Sequence, residues 1–207
     1  MQRLILASTS RYRSDLLARL GLRFETLSPG VDESAADNEA AVSLAQRLAR
    51  QKAERAAQMH ASPPAVIIAA DQTAALGNTL LRKPGNRSTA IEQLTACQGH
   101  SVFFYTATTI IETSSGAAWH DLDTTEVRFL RRNPAELSRY VDLEQPFDCA
   151  GGFKAEGLGI TLFEFINSRD PTALVGLPLI WVNRVLCEIG LDPLRLQTRE
   201  REQDHSQ

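Results

Sequence analysis

The hydrophobic positions of the chain follow two spacings, and each spacing predicts one type of element. Short continuous or alternating apolar runs are typical of strands; they fall at 4–7, 24–27, 65–70, 102–111, 124–130 and 160–166. Apolar residues three and four positions apart are typical of helices; they recur between 11 and 20, 39 and 59, 89 and 98, from 134 onward, and between 177 and 189. Strands and helices therefore alternate as in an α/β protein, and the neighbouring runs at 102–111 and 124–130 predict a hairpin that makes the sheet mixed.

Local signals set several of the expected boundaries. The run at 65–70 is apolar at every position, as in a strand covered on both faces, and we expect this strand to end at Asp71. Asn133 followed by Pro134 has the residue types preferred at the start of a helix. The stretch Thr89–Glu92 predicts a capping box that opens another helix. Because we expect the strand at 65–70 to end at Asp71, we expect this residue at the carboxyl edge of the sheet, where ligands of α/β proteins bind.

The composition is ordinary for a folded globular protein. Of 207 residues, 43% are hydrophobic and 23% are charged, which suits a single domain over 1–194, or two small lobes that share a cleft. The polar tail at 195–207 is expected to fray. No apolar run is long enough to span a membrane, and we expect no signal peptide, because the first residues lead directly into a strand-like run; the cytoplasm is therefore the expected location. With a net charge of −3, we expect neither a nucleic-acid nor a membrane partner, and a homodimer stays open.

Lysine is unusually rare in this chain. There are 22 basic residues, of which only Lys52, Lys83 and Lys154 are lysines. Lys52 falls on the apolar stripe of the helix at 39–59, Lys83 precedes a proline, and Lys154 lies in a glycine-rich stretch. These are poor sites for a charge that serves only solubility. We therefore expect the three ammonium groups to contact one anionic ligand, with chance retention of lysine as the alternative.

Other residues carry groups suited to phosphate and metal chemistry. Ser8 and Arg13 lie at the start of the first helix, where backbone N–H groups and a guanidinium bind anions, although simple N-capping is the alternative. Asp71 can accept a proton from water or bind a divalent ion, although an aspartate that starts a turn is the alternative. Glu33 follows Asp32 in a loop and can add an oxygen ligand, although such pairs are commonly solvated. Together with the lysines, these groups suit a nucleoside polyphosphate and its metal.

A series of motifs runs in order along nearly the whole chain. The motifs are Leu4-Ile-Leu-Ala-Ser-Thr-Ser-x-x-Arg13, Val31-Asp32-Glu33, Lys52, Ala70-Asp71-Gln72, Lys83-Pro84, Cys149-Ala-Gly-Gly-Phe-Lys-Ala-Glu-Gly157 and Leu174-Val-Gly-Leu-Pro178. This series, over residues 3–194, resembles the Maf family of nucleoside triphosphate pyrophosphatases. The resemblance implies a fold of the inosine triphosphate pyrophosphatase type, with two lobes around a cleft. It also implies hydrolysis between the α and β phosphates, a divalent metal (Mg²⁺ or Mn²⁺) and a cytoplasmic location.

The resemblance further implies roles for single residues. Asp71 is implied as the proton acceptor, and Asp71 and Glu33 as the metal ligands. The residues implied to bind the phosphates are Ser8, Arg13, Lys52, Lys83 and Lys154.

Three positions distinguish the branches of this family. Tyr12, Gln72 and Glu156 resemble the branch that acts on 7-methyl-GTP, whereas the branch that acts on dTTP and UTP has Arg, Thr and Gln there. Methylation at N7 makes guanine a cation, on which the aromatic face of Tyr12 can stack. The Glu156 carboxylate can accept hydrogen bonds from guanine N1–H and the exocyclic amine. The resemblance therefore implies a 7-methyl-GTP pyrophosphatase; a dTTP or UTP pyrophosphatase and a non-catalytic nucleotide-binding regulator of cell division are the alternatives.

Overall fold

A computed structural model of the chain describes residues 2–60 and 62–196. Its strands are β1 (Arg3–Leu6), β2 (Glu25–Thr26), β3 (Ala65–Leu76), β4 (Thr79–Leu81), β5 (Ser101–Glu112), β6 (Ala118–Phe129) and β7 (Phe163–Asn167). Its longer helices are α1 (Arg11–Ala18), α2 (Ala41–Met59), α3 (Arg87–Cys97), α4 (Pro134–Glu144) and α5 (Leu179–Glu188). Short 3₁₀ turns lie at Ala150–Gly152, Leu158–Leu162 and Ala173–Val175. Apart from 195 and 196, the predicted polar tail lies outside the described residues.

The strands form one mixed sheet. Its order is β2-β1-β3-β5-β6-β7, and β4 pairs with β3 in addition. β1 runs parallel to β2 and β3, whereas β5 and β6 form the antiparallel hairpin that the sequence predicts. The mixed α/β architecture expected from the alternation of elements is thereby confirmed.

The long strand β3 creates an opening in the sheet. One of its edges pairs with β5 along nearly the whole strand. The other edge pairs with β1 over 65–68 and with β4 over 74–76, so within the described residues no strand covers 69–73 on that side. The prediction that the strand ends at Asp71 is wrong, because β5 continues to supply partners for the backbone beyond that residue. Asp71 instead lies in mid-strand, beside an open edge.

Two apolar clusters share one face of the sheet. One cluster joins β1, α1 and α5, and it includes Ala70 of β3. The other joins α3, α4 and the adjacent parts of β5 and β6, and it includes Ala74 of β3. On β3, the change from one cluster to the other therefore falls at Gln72. The opposite face is covered by α2, whose small residues such as Ala53 pack against Ile67.

The helix starts follow the local signals in one case and depart from them in another. Asn133 caps α4 as predicted: its side chain accepts from the Glu136 N–H, and the Glu136 carboxylate accepts from the Asn133 N–H. The predicted capping box at Thr89–Glu92 is wrong, because Asn86 is the N-cap of α3 and accepts from the Thr89 N–H at 3.0 Å. Asparagine is at least as good an N-cap as threonine, and the helix therefore begins one turn earlier. None of the helices in the described residues is long and apolar enough to cross a membrane.

Candidate active site

A buried ammonium joins two carboxylates at the open edge of β3. Lys52 lies on the face of α2 that packs against the sheet, and it is only 6% exposed, as its place on the apolar stripe predicts. Its Nζ lies 2.6 Å from Asp71 Oδ1 and 2.5 Å from Glu33 Oε1. Asp71 belongs to β3 and Glu33 to the loop before α2, so three separate segments converge on one point.

The two carboxylates around Lys52 differ in their surroundings. Burial raises the pKa of Asp71 above the ordinary value, and the positive charges of Lys52 and Arg13 oppose this shift. Burial also acts to raise the pKa of Glu33, but the hydrogen bond from Lys52 and the nearby cations outweigh it and leave this pKa below its ordinary value. A raised pKa makes a carboxylate a better proton acceptor near neutral pH. Asp71 is therefore the better candidate for a general base.

Arg13 is held in place by the main chain of a distant segment. Its Nε donates to the Gly176 carbonyl at 2.9 Å, and its Nη1 donates to Ser8 Oγ at 3.4 Å. Ser8 Oγ also accepts from the Ser10 N–H, and Ser10 caps α1. Gly176 has a φ of 119°, and a Cβ at this position would lie 3.4 Å from Arg13 Nε. A glycine thus lets the carbonyl adopt the position in which it fixes the guanidinium.

These groups line one cleft of 610 Å³. The predicted phosphate and metal residues in its lining are Ser8, Arg13, Glu33, Lys52, Asp71 and Lys83. Lys83 follows β4 and is exposed, and its charge contributes to lowering the pKa of Glu33. Of the three lysines expected to contact one ligand, the structure brings Lys52 and Lys83 to this cleft.

Lys154 does not join the other two lysines. Its Nζ donates to the main-chain carbonyl of Glu144 at 3.2 Å and lies 4.0 Å from the Glu144 carboxylate. Its backbone N–H donates to Tyr140 Oη at 3.2 Å. Glu144 ends α4, and the free carbonyls at a helix C-terminus attract a cation. This attraction explains why the Lys154 side chain turns toward α4.

Tyr12 borders the glycine-rich stretch at 148–157. Burial raises the pKa of Tyr12 to about 12, and the nearby Cys149, Asp148 and Glu156 add to the shift. Tyr12 and Asp148 line the cleft, whereas Glu156 is exposed and is not among the described residues that line it. The structure thus brings Tyr12 and Glu156 to the same region but leaves Glu156 outside the cleft wall.

Gln72 also lines the cleft, but its side chain lies on the other face of the sheet from Asp71. Its Nε2 donates to Thr106 Oγ1 at 2.9 Å and to the carbonyls of Ala173 and Leu174 at 3.0 Å each. Successive residues of a strand point to opposite faces, so Asp71 faces α2 while Gln72 faces the segment before α5.

The loop that carries Glu33 is anchored on α2 by one arginine. Arg47 donates from Nε and Nη2 to the two carboxylate oxygens of Glu39, at 2.8 Å each. Its Nη2 also donates to the carbonyl of Ser34, the residue after Glu33, at 2.9 Å. A bidentate arginine–carboxylate pair of this kind restrains both partners. Arg47 thereby limits where the Glu33 side chain can lie.

Comparisons with known proteins identify the family. A family model described as Maf-like protein matches residues 3–189. The chain belongs to the Maf family. A relative named 7-methyl-GTP pyrophosphatase from Xanthomonas oryzae pv. oryzae is 52% identical over 190 residues, which cover 92% of this chain and 98% of the relative. A relative of the same name from Alcanivorax borkumensis is 46% identical over 91% of this chain and 94% of its own.

One solved structure also matches this Maf chain. It is described as a nucleoside-triphosphatase / dITP/XTP pyrophosphatase from Mycobacterium abscessus. The match covers 63% of this chain and 76% of the solved chain, at 14% identity and a TM-score of 0.42.

The carboxylates of this Maf site fit a divalent ion only in part. In the residues that the structure describes, no group of three or more His, Cys, Asp or Glu side chains is placed to hold a metal. Asp71 and Glu33 nevertheless converge on one ammonium. Mg²⁺ is commonly bound by one or two carboxylates that act together with substrate phosphates and water. The donor set therefore fits an ion that is also held by the phosphates of a nucleotide.

Several residues of this Maf site could not be identified from the sequence pattern. Gly176 lies in the motif at 174–178, which was the available signal for it. Thr106, Glu144 and Arg47 carried no signal, because each acts through a partner that only the fold brings near.

Proposed function

We propose that this protein hydrolyses 7-methyl-GTP to 7-methyl-GMP and pyrophosphate. The observation that carries the proposal is the buried Lys52–Asp71 pair, which shares one cleft with Arg13 and Lys83. A carboxylate with a raised pKa beside several cations suits the hydrolysis of a phosphoanhydride. The choice of nucleotide is supported by relatives of about half-identical sequence that are named 7-methyl-GTP pyrophosphatase.

In this reaction Asp71 acts as the proton acceptor. The oxygen of a water molecule forms a bond to phosphorus in the α–β anhydride, and one proton of that water passes to the Asp71 carboxylate. The bond between this phosphorus and the bridging oxygen breaks, which leaves the nucleoside monophosphate and pyrophosphate. The neighbouring Lys52 stabilises Asp71 in its ionised form before the proton is transferred.

The cations of the cleft neutralise the charge that develops on the phosphates. Arg13 offers a planar guanidinium whose Nε is already fixed on Gly176, so its remaining N–H groups can donate to phosphate oxygens. Lys83 is exposed and can move to a phosphate with little loss of its own contacts. Ser8 is buried at the start of α1, where the free backbone N–H groups of the first turn favour an anion.

A divalent metal, Mg²⁺ or Mn²⁺, belongs to the same proposal. Asp71 and Glu33 would hold it together with oxygens of the nucleotide. When bound, such an ion draws charge from the phosphates and lowers the barrier to attack. Because nucleoside triphosphates are cytoplasmic metabolites, we also propose that the protein acts in the cytoplasm.

Tyr12, Gln72 and Glu156 select the base in this proposal. Tyr12 supplies an aromatic face for the electron-poor 7-methylguanine ring. Glu156 is exposed, is near enough to influence the charge of Tyr12, and supplies a negative charge for the cationic base.

A turnover assay across nucleotides tests the proposal. Pyrophosphate release is measured with 7-methyl-GTP, GTP, UTP and dTTP, each with Mg²⁺ and with Mn²⁺, and Asp71→Asn serves as the inactive control. We expect the largest kcat/KM with 7-methyl-GTP. A larger kcat/KM with UTP or dTTP would assign the protein to pyrimidine nucleotides. Nucleotide binding without release of pyrophosphate from any substrate would indicate a non-catalytic regulator.

A further inference from the structure

A row of polar side chains crosses the sheet between the two apolar clusters. Gln72 on β3 pairs in register with Thr106 on β5, and Thr106 pairs with Asp123 on β6. Thr106 is 0% exposed and Asp123 is 1% exposed. Buried polar groups cost stability unless they are hydrogen-bonded, so a row of them at this depth indicates a specific task.

The row holds the segment that precedes α5. Ser168 donates to Asp123 Oδ1 at 3.2 Å. The Thr106 hydroxyl donates to the Ala173 carbonyl at 2.9 Å, and Gln72 donates to the same carbonyl. The polar row thus fixes the main chain of this segment against the sheet.

These contacts leave only one orientation for the Gln72 side-chain amide. Main-chain carbonyls can only accept, so the group that faces those of Ala173 and Leu174 must be the Nε2 amine. Thr106 has given its single proton to Ala173 and can therefore only accept from Gln72. Turning the amide by half a rotation would set Oε1 against three acceptors.

The fixed amide presents an acceptor. Within the described residues no group donates to Gln72 Oε1. This atom is not among the fully buried side-chain atoms that lack a hydrogen-bond partner, so it is open to a ligand. Gln72 is half-buried and lines the cleft. A glutamine that could rotate would offer a nucleobase either a donor or an acceptor. The fixed one offers an acceptor alone.

We propose that Thr106 is a positioning residue for base selection, because it fixes the Ala173 carbonyl, accepts from Gln72, and so helps to hold the Gln72 amide with Oε1 available to the base. The inference rests on the proposed function and adds a cause for its choice of base. Guanine presents adjacent donors at N1 and at the exocyclic amine, and both suit an acceptor. Uracil and thymine present one donor between two carbonyl oxygens, and those oxygens repel a fixed acceptor.

Three variants on one strand test this proposal. Thr106→Val keeps the shape of the side chain and removes the hydroxyl, whereas Thr106→Ser keeps the hydroxyl. Thr108→Val is the matched control, because Thr108 lies two residues along β5, is 1% exposed and has a hydroxyl with no hydrogen-bond partner in the described chain. The readout is the ratio of kcat/KM for 7-methyl-GTP to kcat/KM for UTP.

We expect Thr106→Val to lower this ratio by about 2–13-fold, which corresponds to one lost hydrogen bond. Thr106→Ser and Thr108→Val should keep the wild-type ratio. An unchanged ratio in Thr106→Val, or an equal fall in Thr108→Val, would overturn the proposal. Should Thr106→Val fail to fold, Thr106→Ala carries the same expectation without the added methyl group.

Calorimetric binding of 7-methyl-GMP and UMP separates this inference from the proposed function. If the wild-type protein releases no pyrophosphate, the proposed function fails, and the ratio of the two dissociation constants still tests Thr106. We expect Thr106→Val to bring the two dissociation constants closer together by a similar factor. A ratio that matches the wild type would contradict the role of Thr106 whatever the turnover assay shows.

Discussion

The two ends of the cleft are built in different ways. At the end that holds Asp71, the two almost fully buried groups, Asp71 and Lys52, come from a strand and a helix face, and Glu33 comes from an anchored loop. At the other end, Tyr12 of α1 lines the cleft, and Glu156, which is near Tyr12 but outside the cleft wall, is exposed in a stretch of short turns. Rigid elements position charges to within a small error, whereas loops accept changes of sequence and shape. In the proposed function, the first end carries the chemistry and the second the choice of base.

The largest expected effect on turnover comes from the end of the cleft that holds Asp71, which we call the chemical end. Asp71→Asn is nearly isosteric but cannot accept the proton, and the loss of a general base costs about 10²–10⁴ in rate. Because the proposed function gives Asp71 no role in selecting the nucleobase, we expect kcat to fall by the same factor with 7-methyl-GTP and with UTP. Pyrophosphate release under saturating substrate is the measurement, with a thermal melt to verify folding. Wild-type turnover in a folded variant would remove Asp71 from the mechanism.

The next largest effect concerns the end of the cleft near Tyr12 and Glu156, which we call the loop end. Glu156→Gln keeps the shape of the side chain and removes the negative charge that the proposed function assigns to binding a cationic base. A charged hydrogen bond contributes about 1.5–3 kcal/mol, so kcat/KM with 7-methyl-GTP should fall by roughly 10–150-fold. The fall should be smaller with UTP and dTTP, which carry no fixed positive charge. Equal losses on all three substrates would mean that Glu156 only supports the loop.

The sequence predicts features that follow from local pattern and misses those that depend on a distant partner, at both ends of the cleft. The spacing of apolar residues around Lys52 predicts its burial, because a helix stripe and its partner strand follow from local pattern. The position of Lys154 could not be predicted in this way. Its side chain is drawn to the end of α4, and that neighbour is set by the tertiary fold. The continuation of β3 past Asp71 was likewise invisible, because a distant strand supplies the pairing.

An intermediate effect concerns the anchor of the Glu33 loop. Arg47→Ala removes the contacts to Glu39 and to the Ser34 carbonyl, so Glu33 loses its restraint. We expect kcat to fall about tenfold with both 7-methyl-GTP and UTP, as for the loss of one charged hydrogen bond. Gln51→Ala, on the same face of α2, is the control, since it removes only a contact to Arg47 itself. If kcat fell by different factors with 7-methyl-GTP and with UTP, the assignment of the Glu33 loop to the end of the cleft that holds Asp71 would be contradicted.

The pairing of Arg47 with Glu39 should make the stability of the fold depend on pH. Hydrogen bonds from Arg47 and from the Ala36 N–H lower the pKa of Glu39 from 4.5 to about 2. A depressed pKa in the folded state adds stability above the unfolded pKa, and this stability is lost as the pH falls toward the folded pKa. The stability difference between wild type and Arg47→Ala should therefore be constant near neutral pH and shrink below about pH 4.5. Urea unfolding at a series of pH values measures it, and a difference that grows on acidification would contradict the prediction.

The smallest expected effect on turnover concerns Glu144, which contacts the glycine-rich stretch next to Glu156. The Glu144 carboxylate accepts from the Leu158 N–H at 2.9 Å and lies 4.0 Å from Lys154 Nζ. Glu144→Gln keeps an acceptor for Leu158 but removes the charge that faces Lys154, and a partly exposed ion pair contributes less than about 1 kcal/mol. We expect kcat/KM with 7-methyl-GTP to fall by less than about fivefold while kcat/KM with UTP stays at the wild-type value. A loss above tenfold, or one that is equal for both substrates, would mean that Lys154 takes part in the phosphate chemistry after all, and the division between the two ends would then have to be redrawn.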